Sequence, residues 1–124
     1  FINGLKSILP NKKIDLFNVT IREVAPDIVS KLPYARENVC RFVMLFNQLK
    51  TKDHEIEMKQ LTQQLINLCH KQGGVYYMPY RLHASLNQFH EQYPMAKEVF
   101  QLKSKYDKDH ILKNKLYDKY YHSQ

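Results

Sequence analysis

Between residues 73 and 85 the chain reads GGVYYMPYRLHAS, its densest collection of groups able to do chemistry. Tyr80, Arg81 and His83 follow Pro79 in an extended run. A phenol, a guanidinium and an imidazole set close together can orient an alcohol or a carbonyl and stabilise charge developing on it. Tyr76 and Tyr77 are neighbours on what reads as a strand, so they point to opposite faces and at most one belongs wholly to the core. The plainer reading of the same residues is that tyrosine and arginine finish a sheet edge. A second polar row, Asn18, Thr20 and Arg22, alternates with Phe17, Val19 and Ile21 and faces either solvent or an interface. His83 and His90 are separated by a helix start at Ser85 and have no carboxylates at matching spacing, so no metal site is expected. No Ser/His/Asp or Cys/His arrangement stands out, which leaves hydrolase chemistry without a candidate.

The chain that must position these groups has 124 residues, about one domain with one core of useful size. With 44% hydrophobic and 25% charged residues it belongs among globular rather than disordered sequences. No apolar run approaches the roughly 18 to 20 residues of a membrane span, and FINGLKSILPNKK lacks the order of a signal peptide. Cys40 and Cys69 lie far apart among apolar neighbours and read as buried free thiols, which points to a reducing compartment. The cytoplasm is the expected location, with a place at the periphery of the inner membrane as the alternative. The formal charge of +7 raises the question of an anionic partner, but the lysines crowd into KEVFQLKSKYDKDHILKNKLYDKYY among Asp, Glu and Tyr. No nucleic-acid-binding signature accompanies them. With only three glycines and no Gly-rich loop, a complete dinucleotide site cannot be built from this chain.

Periodicity supplies the elements. Phe1, Leu5, Ile8 and Leu9 recur at helical spacing until Pro10. Residues 15–24 alternate as a half-buried strand with Phe17, Val19 and Ile21 on the core face, and 38–48 is apolar at nearly every position, as a covered strand is. Residues 53–72 carry the stripe Met58, Leu61, Leu65, Leu68 and Cys69 of the clearest helix, stopped at Gly73. VYYM, 75–78, reads as a short third strand. Ser85 and Gln88 form a capping box that opens a helix ending before Pro94, and a last helix spans about Ala96 to Tyr106. The predicted fold is α+β: an incomplete ferredoxin-like antiparallel sheet with helices on one face, plus C-terminal helices. One domain covers 1–124, its ferredoxin-like part over 1–94 and a C-terminal helix and tail over 95–124. Lacking the first strand of the βαββαβ order, the chain is expected to be part of something larger.

LFNVTIREVAPD, YARENVCRFVMLFNQ, GGVYYMPYRLHAS and YDKDHILKNKLYDKYY together resemble the C-terminal part of FAD-linked oxidases of the vanillyl-alcohol-oxidase type. That family includes sugar-lactone oxidases and decaprenylphosphoryl-ribose oxidase. The likeness runs over most of the chain from about residue 14. Tyr106, Asp107 and Asn114 keep the offsets of the family's terminal motif, while Lys108 and Leu112 replace its proline and phenylalanine. The resemblance implies a cap domain over the reacting face of FAD, the cofactor being held mainly by an FAD-binding domain of the same parent chain. It implies Tyr77 and Asn114 against the flavin, and Asn18, Thr20 and Arg22 facing substrate. Tyr80 would polarise or deprotonate the substrate hydroxyl, with Arg81 and His83 orienting it or binding an anion. Near Tyr80 one relative carries a catalytic lysine instead. The expected function is oxidation of a small hydroxyl-bearing substrate, a sugar or polyol, with no nucleic-acid partner and no indicated membrane association. The rival is a stand-alone basic module binding nucleic acid or another anionic ligand. A purely structural domain, with the Asn18–Thr20–Arg22 face buried against another copy, is the third alternative.

Overall fold

The computed structural model describes residues 1–11 and 14–121. In chain order the elements are α1 (Ile2–Ile8), a 3-10 turn (Leu9–Asn11), β1 (Asp15–Val24), β2 (Val39–Asn47), α2 (Lys52–Lys71), α3 (Leu86–Gln92), α4 (Ala96–Tyr106) and α5 (Lys115–Tyr121). The α+β class and the antiparallel sheet stand as read from the sequence, and the sheet holds the two strands β1 and β2.

The register runs from Asp15 opposite Asn47 to Val24 opposite Val39, with a break between Leu16 and Asn18. Phe17 is the extra residue of this β-bulge, and its presence changes which side chains face inward. Leu16, Val19 and Ile21 oppose Phe46, Met44 and Phe42, so these six share one face. Phe17 is thrown off that face and stands 72% exposed, and Ile21, toward the far end of β1, is 55% exposed. The expected core face is corrected at Phe17, whose place beside Val19 and Ile21 is taken by Leu16: strict alternation cannot survive an inserted residue.

α2 lies at the centre. One of its sides carries Leu61 and Leu65, which join Leu5 of α1 and the partly buried Met44, Phe46 and Leu68. α1 and α2 therefore cover the Met44 face of the sheet, on one side as expected. Ile66, on the other side of α2, enters a second and larger core with Ala84, Phe89, Tyr93, Ala96, Phe100, Tyr117 and Tyr120. Phe89 stacks on Tyr120 at 4.1 Å between ring centroids and 9° between planes, the tightest of these aromatic contacts. This core spans both sides of Pro94, so α4 and α5 close the same hydrophobic interior as α3.

Residues 75–78 form no strand. The reason lies in α3: Gln92 Oε1 accepts the Tyr76 N–H at 2.9 Å, and the Tyr93 hydroxyl donates to the Tyr76 carbonyl. With both main-chain groups satisfied by side chains, the segment needs no sheet partner. The cysteines also differ from expectation. Cys40 is exposed, and Cys69 is half-buried, its thiol pushed up by desolvation. No helix among the described residues is long and apolar enough to cross a membrane.

Candidate functional site

The segment 73–85 leaves α2 through a sharp turn. Gly73 has φ +74°, where side chains are strained, and its N–H donates to His70 O at 2.9 Å. Gly74 passes so close to α2 that a Cβ there would lie 2.6 Å from Cys69 Sγ. The chain is thereby aimed across the top of α3, with Tyr76 turned toward the aromatic core and Tyr77 turned away from it. Burial raises the phenolic pKa of Tyr76, and of Tyr93 against which it packs edge-on at 5.6 Å.

Tyr77 and Tyr80 belong to an open aromatic cluster. Tyr77 meets Tyr34 at 4.9 Å and Tyr80 at 5.4 Å, both edge-to-face. The Arg41 guanidinium lies 4.3 Å from the Tyr77 ring centroid and 5.5 Å from that of Tyr34. Tyr80 remains 68% exposed and Tyr77 37%. Arg41 is directly opposite Arg22 in the strand register, which places both on the sheet face away from α1 and α2. Asn18 and Thr20 share that face and are exposed with Arg22. The polar row of β1 and the tyrosines of 73–85 thus border a common surface.

Arg81 and His83 turn elsewhere. Arg81 Nη1 lies 3.0 Å from Glu55 Oε2 and also donates to Gln48 Oε1. His83 is buried, with Nε2 2.8 Å from Glu55 Oε1 and Nδ1 3.1 Å from Thr62 Oγ1. The Thr62 hydroxyl also bonds Met58 O at 2.8 Å. Glu55, in the first turn of α2, therefore binds both members of the sequence-derived pair, one with each oxygen. Hydrogen bonding from His83 first, and from Gln48 next, holds the Glu55 carboxyl below its usual range, with the Arg81 charge acting in the same direction and desolvation opposing. Gln63 Nε2 adds a bond to His83 O at 2.9 Å. Chemically this is an ionic clamp that ties the 80–83 run to α2.

Asn114 caps α5: its Oδ1 accepts the Tyr117 N–H at 2.8 Å. Asp107 shapes the preceding turn by accepting the Ile111 and Leu112 N–H groups at 2.8 and 3.1 Å while paired with Lys103. His110, with φ 49°, completes the bend. Ile111 and Leu112 are held outward, 75% and 73% exposed. Lys119 of α5 donates to Leu82 O and to Ala84 O (2.9 Å), fastening the helix to the end of the 73–85 segment. Burial lowers its ammonium pKa.

Sequence reasoning missed Glu55, Gln48, Thr62, Tyr34 and Arg41. Glu55 reads in sequence only as an acid suited to a helix amino terminus. Arg41 did leave a signal, as the single charge in the apolar run VCRFVMLF.

A depression of about 240 Å³, lined by Leu32, Pro33, Arg36, Tyr93 and Met95, lies across the 25–38 loop and the α3–α4 junction. Its volume is below the roughly 300 to 1,000 Å³ of ligand pockets, and it includes neither Tyr77 nor Tyr80. The residues fit one edge of a flavin and not its diphosphate. Exposed tyrosine rings beside Arg41 offer flat contact and donors. Pyrophosphate, in contrast, calls for a Gly-rich turn, which the three glycines of this sequence do not make. No cluster of metal-ligating side chains occurs among the described residues. Comparison with protein-family models, curated proteins and solved structures finds no match.

Proposed function

We propose that this chain is the substrate-side domain of an FAD-dependent oxidoreductase that oxidises a hydroxyl-bearing carbon of a sugar or polyol. The observation that carries the reading is the open pair Tyr77 and Tyr80, joined to the half-buried Tyr34 and with Arg41 over the Tyr77 ring. Tyr77 and Tyr80 are kept out of a core that takes in Tyr93, Tyr117 and Tyr120 and against which Tyr34 packs. A surface of this kind suits one wall of a site whose other wall is supplied by a flavin-binding domain. The resemblance of GGVYYMPYRLHAS and YDKDHILKNKLYDKYY to FAD-linked oxidases supports the same reading.

Redox chemistry in this scheme is the flavin's, which accepts a hydride from the substrate carbon. The chain's residues bind and orient. Tyr80 presents its hydroxyl to the substrate and takes part in moving the hydroxyl proton. Tyr77 and Asn114 border the flavin edge. Arg81 and His83, clamped by Glu55, keep the Tyr80 run in place, and Asn18, Thr20 and Arg22 face the substrate. A second reading, a basic module for nucleic acid or another anionic ligand, draws on the +7 charge and on Arg22 and Arg41.

The deciding experiment is purification of the full-length gene product and measurement of its flavin absorption and its reduction by polyols and aldoses. A flavin-free protein that binds oligonucleotides with steep salt dependence would replace the first reading by the second.

A further inference from the structure

We infer that Arg22 and Arg41 form a binding site for an oxyanion, a phosphate or carboxylate group carried by a small polar ligand that also rests on Tyr77 and Tyr80. Arg22 and Arg41 are direct cross-strand partners, and directly opposed like charges in a sheet are destabilising. The other two arginines have protein acceptors: Arg36 donates to Gln92 O, and Arg81 to Glu55 and Gln48. Among the described residues, neither Arg22 nor Arg41 has an ion-pair or hydrogen-bond partner.

Arg41 is placed to receive a ligand beside the tyrosines. Its charge lies over the Tyr77 and Tyr34 rings with no hydrogen-bond acceptor among the described residues, and a guanidinium can grip an oxyanion with two parallel N–H bonds. An oxyanion held by both arginines converts the repulsion between them into attraction. Thr20 and Asn18, on the same face as Arg22, supply neutral groups for ligand hydroxyls, and the exposed Tyr80 ring supplies a flat surface. The inference deepens the proposed function by making its substrate anionic. It rests on that reading only for calling the ligand a substrate, because the binding needs no flavin.

The test is a calorimetric titration of the purified protein with inorganic phosphate, glucose 6-phosphate, glucuronate and glucose, for the native sequence, Arg22→Gln and Arg41→Gln. Saturable binding of an anionic probe, at least about tenfold weaker in either variant, with glucose bound no better than in those variants, is the expected result. Glucose 6-phosphate tighter than glucuronate assigns a phosphate, and the reverse order a carboxylate. Arg22→Gln is the safer variant, since Arg22 is exposed and without a protein partner, and a thermal melt of each variant verifies folding. Absence of saturable binding, equal binding in both folded variants, or a single-stranded oligonucleotide binding more tightly than every small anion would overturn the inference. A flavoprotein whose Arg22→Gln variant binds every anion as well as the native sequence would refute the anion site and leave the proposed function standing.

Discussion

Glu55 and His83 meet at 2.8 Å between Oε1 and Nε2, joining the first turn of α2 to a segment on the far side of that helix's own carboxyl end. The contact makes the 80–83 run part of the α2 framework rather than a free loop. Because the second Glu55 oxygen holds Arg81 at 3.0 Å, one carboxylate fixes two neighbouring side chains.

A pH dependence follows. The Glu55 carboxyl is held below its ordinary value of 4.5, by His83 above all, and Asp107 is held low in the same way by Lys103. A carboxyl depressed in the folded state contributes stability that is complete above its unfolded pKa and is lost as pH falls through the folded pKa. Stability should therefore begin to fall near pH 4.5 for Glu55 and continue falling below it. Glu55→Gln should flatten this acid limb in a far-UV circular dichroism titration. The side chain is 53% exposed, so the change is small; an identical limb in both proteins would show the clamp contributes nothing.

The bulge at Phe17 separates two substitutions that hydrophobicity alone would equate. Phe17→Ser should alter unfolding free energy by no more than about 0.5 kcal/mol, since the ring is 72% exposed. Leu61→Ala, at a site with no exposure, should cost about 2 to 5 kcal/mol. Urea unfolding of both variants decides it, and comparable losses would place Phe17 in the core after all.

Asn114 separates structure from cofactor chemistry. Asn114→Ala removes the α5 cap and should cost about 0.5 to 2 kcal/mol, loosening Tyr117 and Tyr120. Asn114→Asp keeps an acceptor for the Tyr117 N–H and should retain stability. If Asn114 also borders the flavin, the aspartate variant of the full-length protein will melt normally yet bind flavin more weakly. Normal melting with unchanged flavin affinity confines Asn114 to capping.

For Tyr80, whose ring is 68% exposed, Tyr80→Phe preserves the contact with Tyr77 and removes only the hydroxyl. Melting should change by less than about 0.5 kcal/mol. Turnover of the full-length protein should drop by roughly 10² to 10⁴, the range of general acid–base contributions. A variant that turns over at the native rate excludes Tyr80 from proton transfer.

Local chemistry settled much of the fold before any long-range contact. Alternation over 15–24 marked β1, and the spacing of Met58, Leu61 and Leu65 with a glycine stop marked α2. Ser85 and Gln88 opened α3 through the capping box that the structure contains. These signals are legible because they depend on residues a few positions apart, where backbone geometry fixes which side chains share a face.

Other features depended on what each element met. The bulge that expels Phe17 follows from the pairing of β1 with β2, to which the periodicity of β1 alone is blind. Residues 75–78 have strand-forming composition, yet Gln92 and Tyr93 take the main-chain groups of Tyr76 before a strand can. At the site, sequence alone determined that Tyr77, Tyr80, Arg81 and His83 would be close along the chain. Tertiary structure divided them, turning His83 and Arg81 to Glu55 and leaving Tyr77 with Arg41 and Tyr80. The physical reason is charge pairing: the carboxylate that neutralises Arg81 and the guanidinium whose charge lies over Tyr77 come from elements distant in sequence, and only folding brings them into reach.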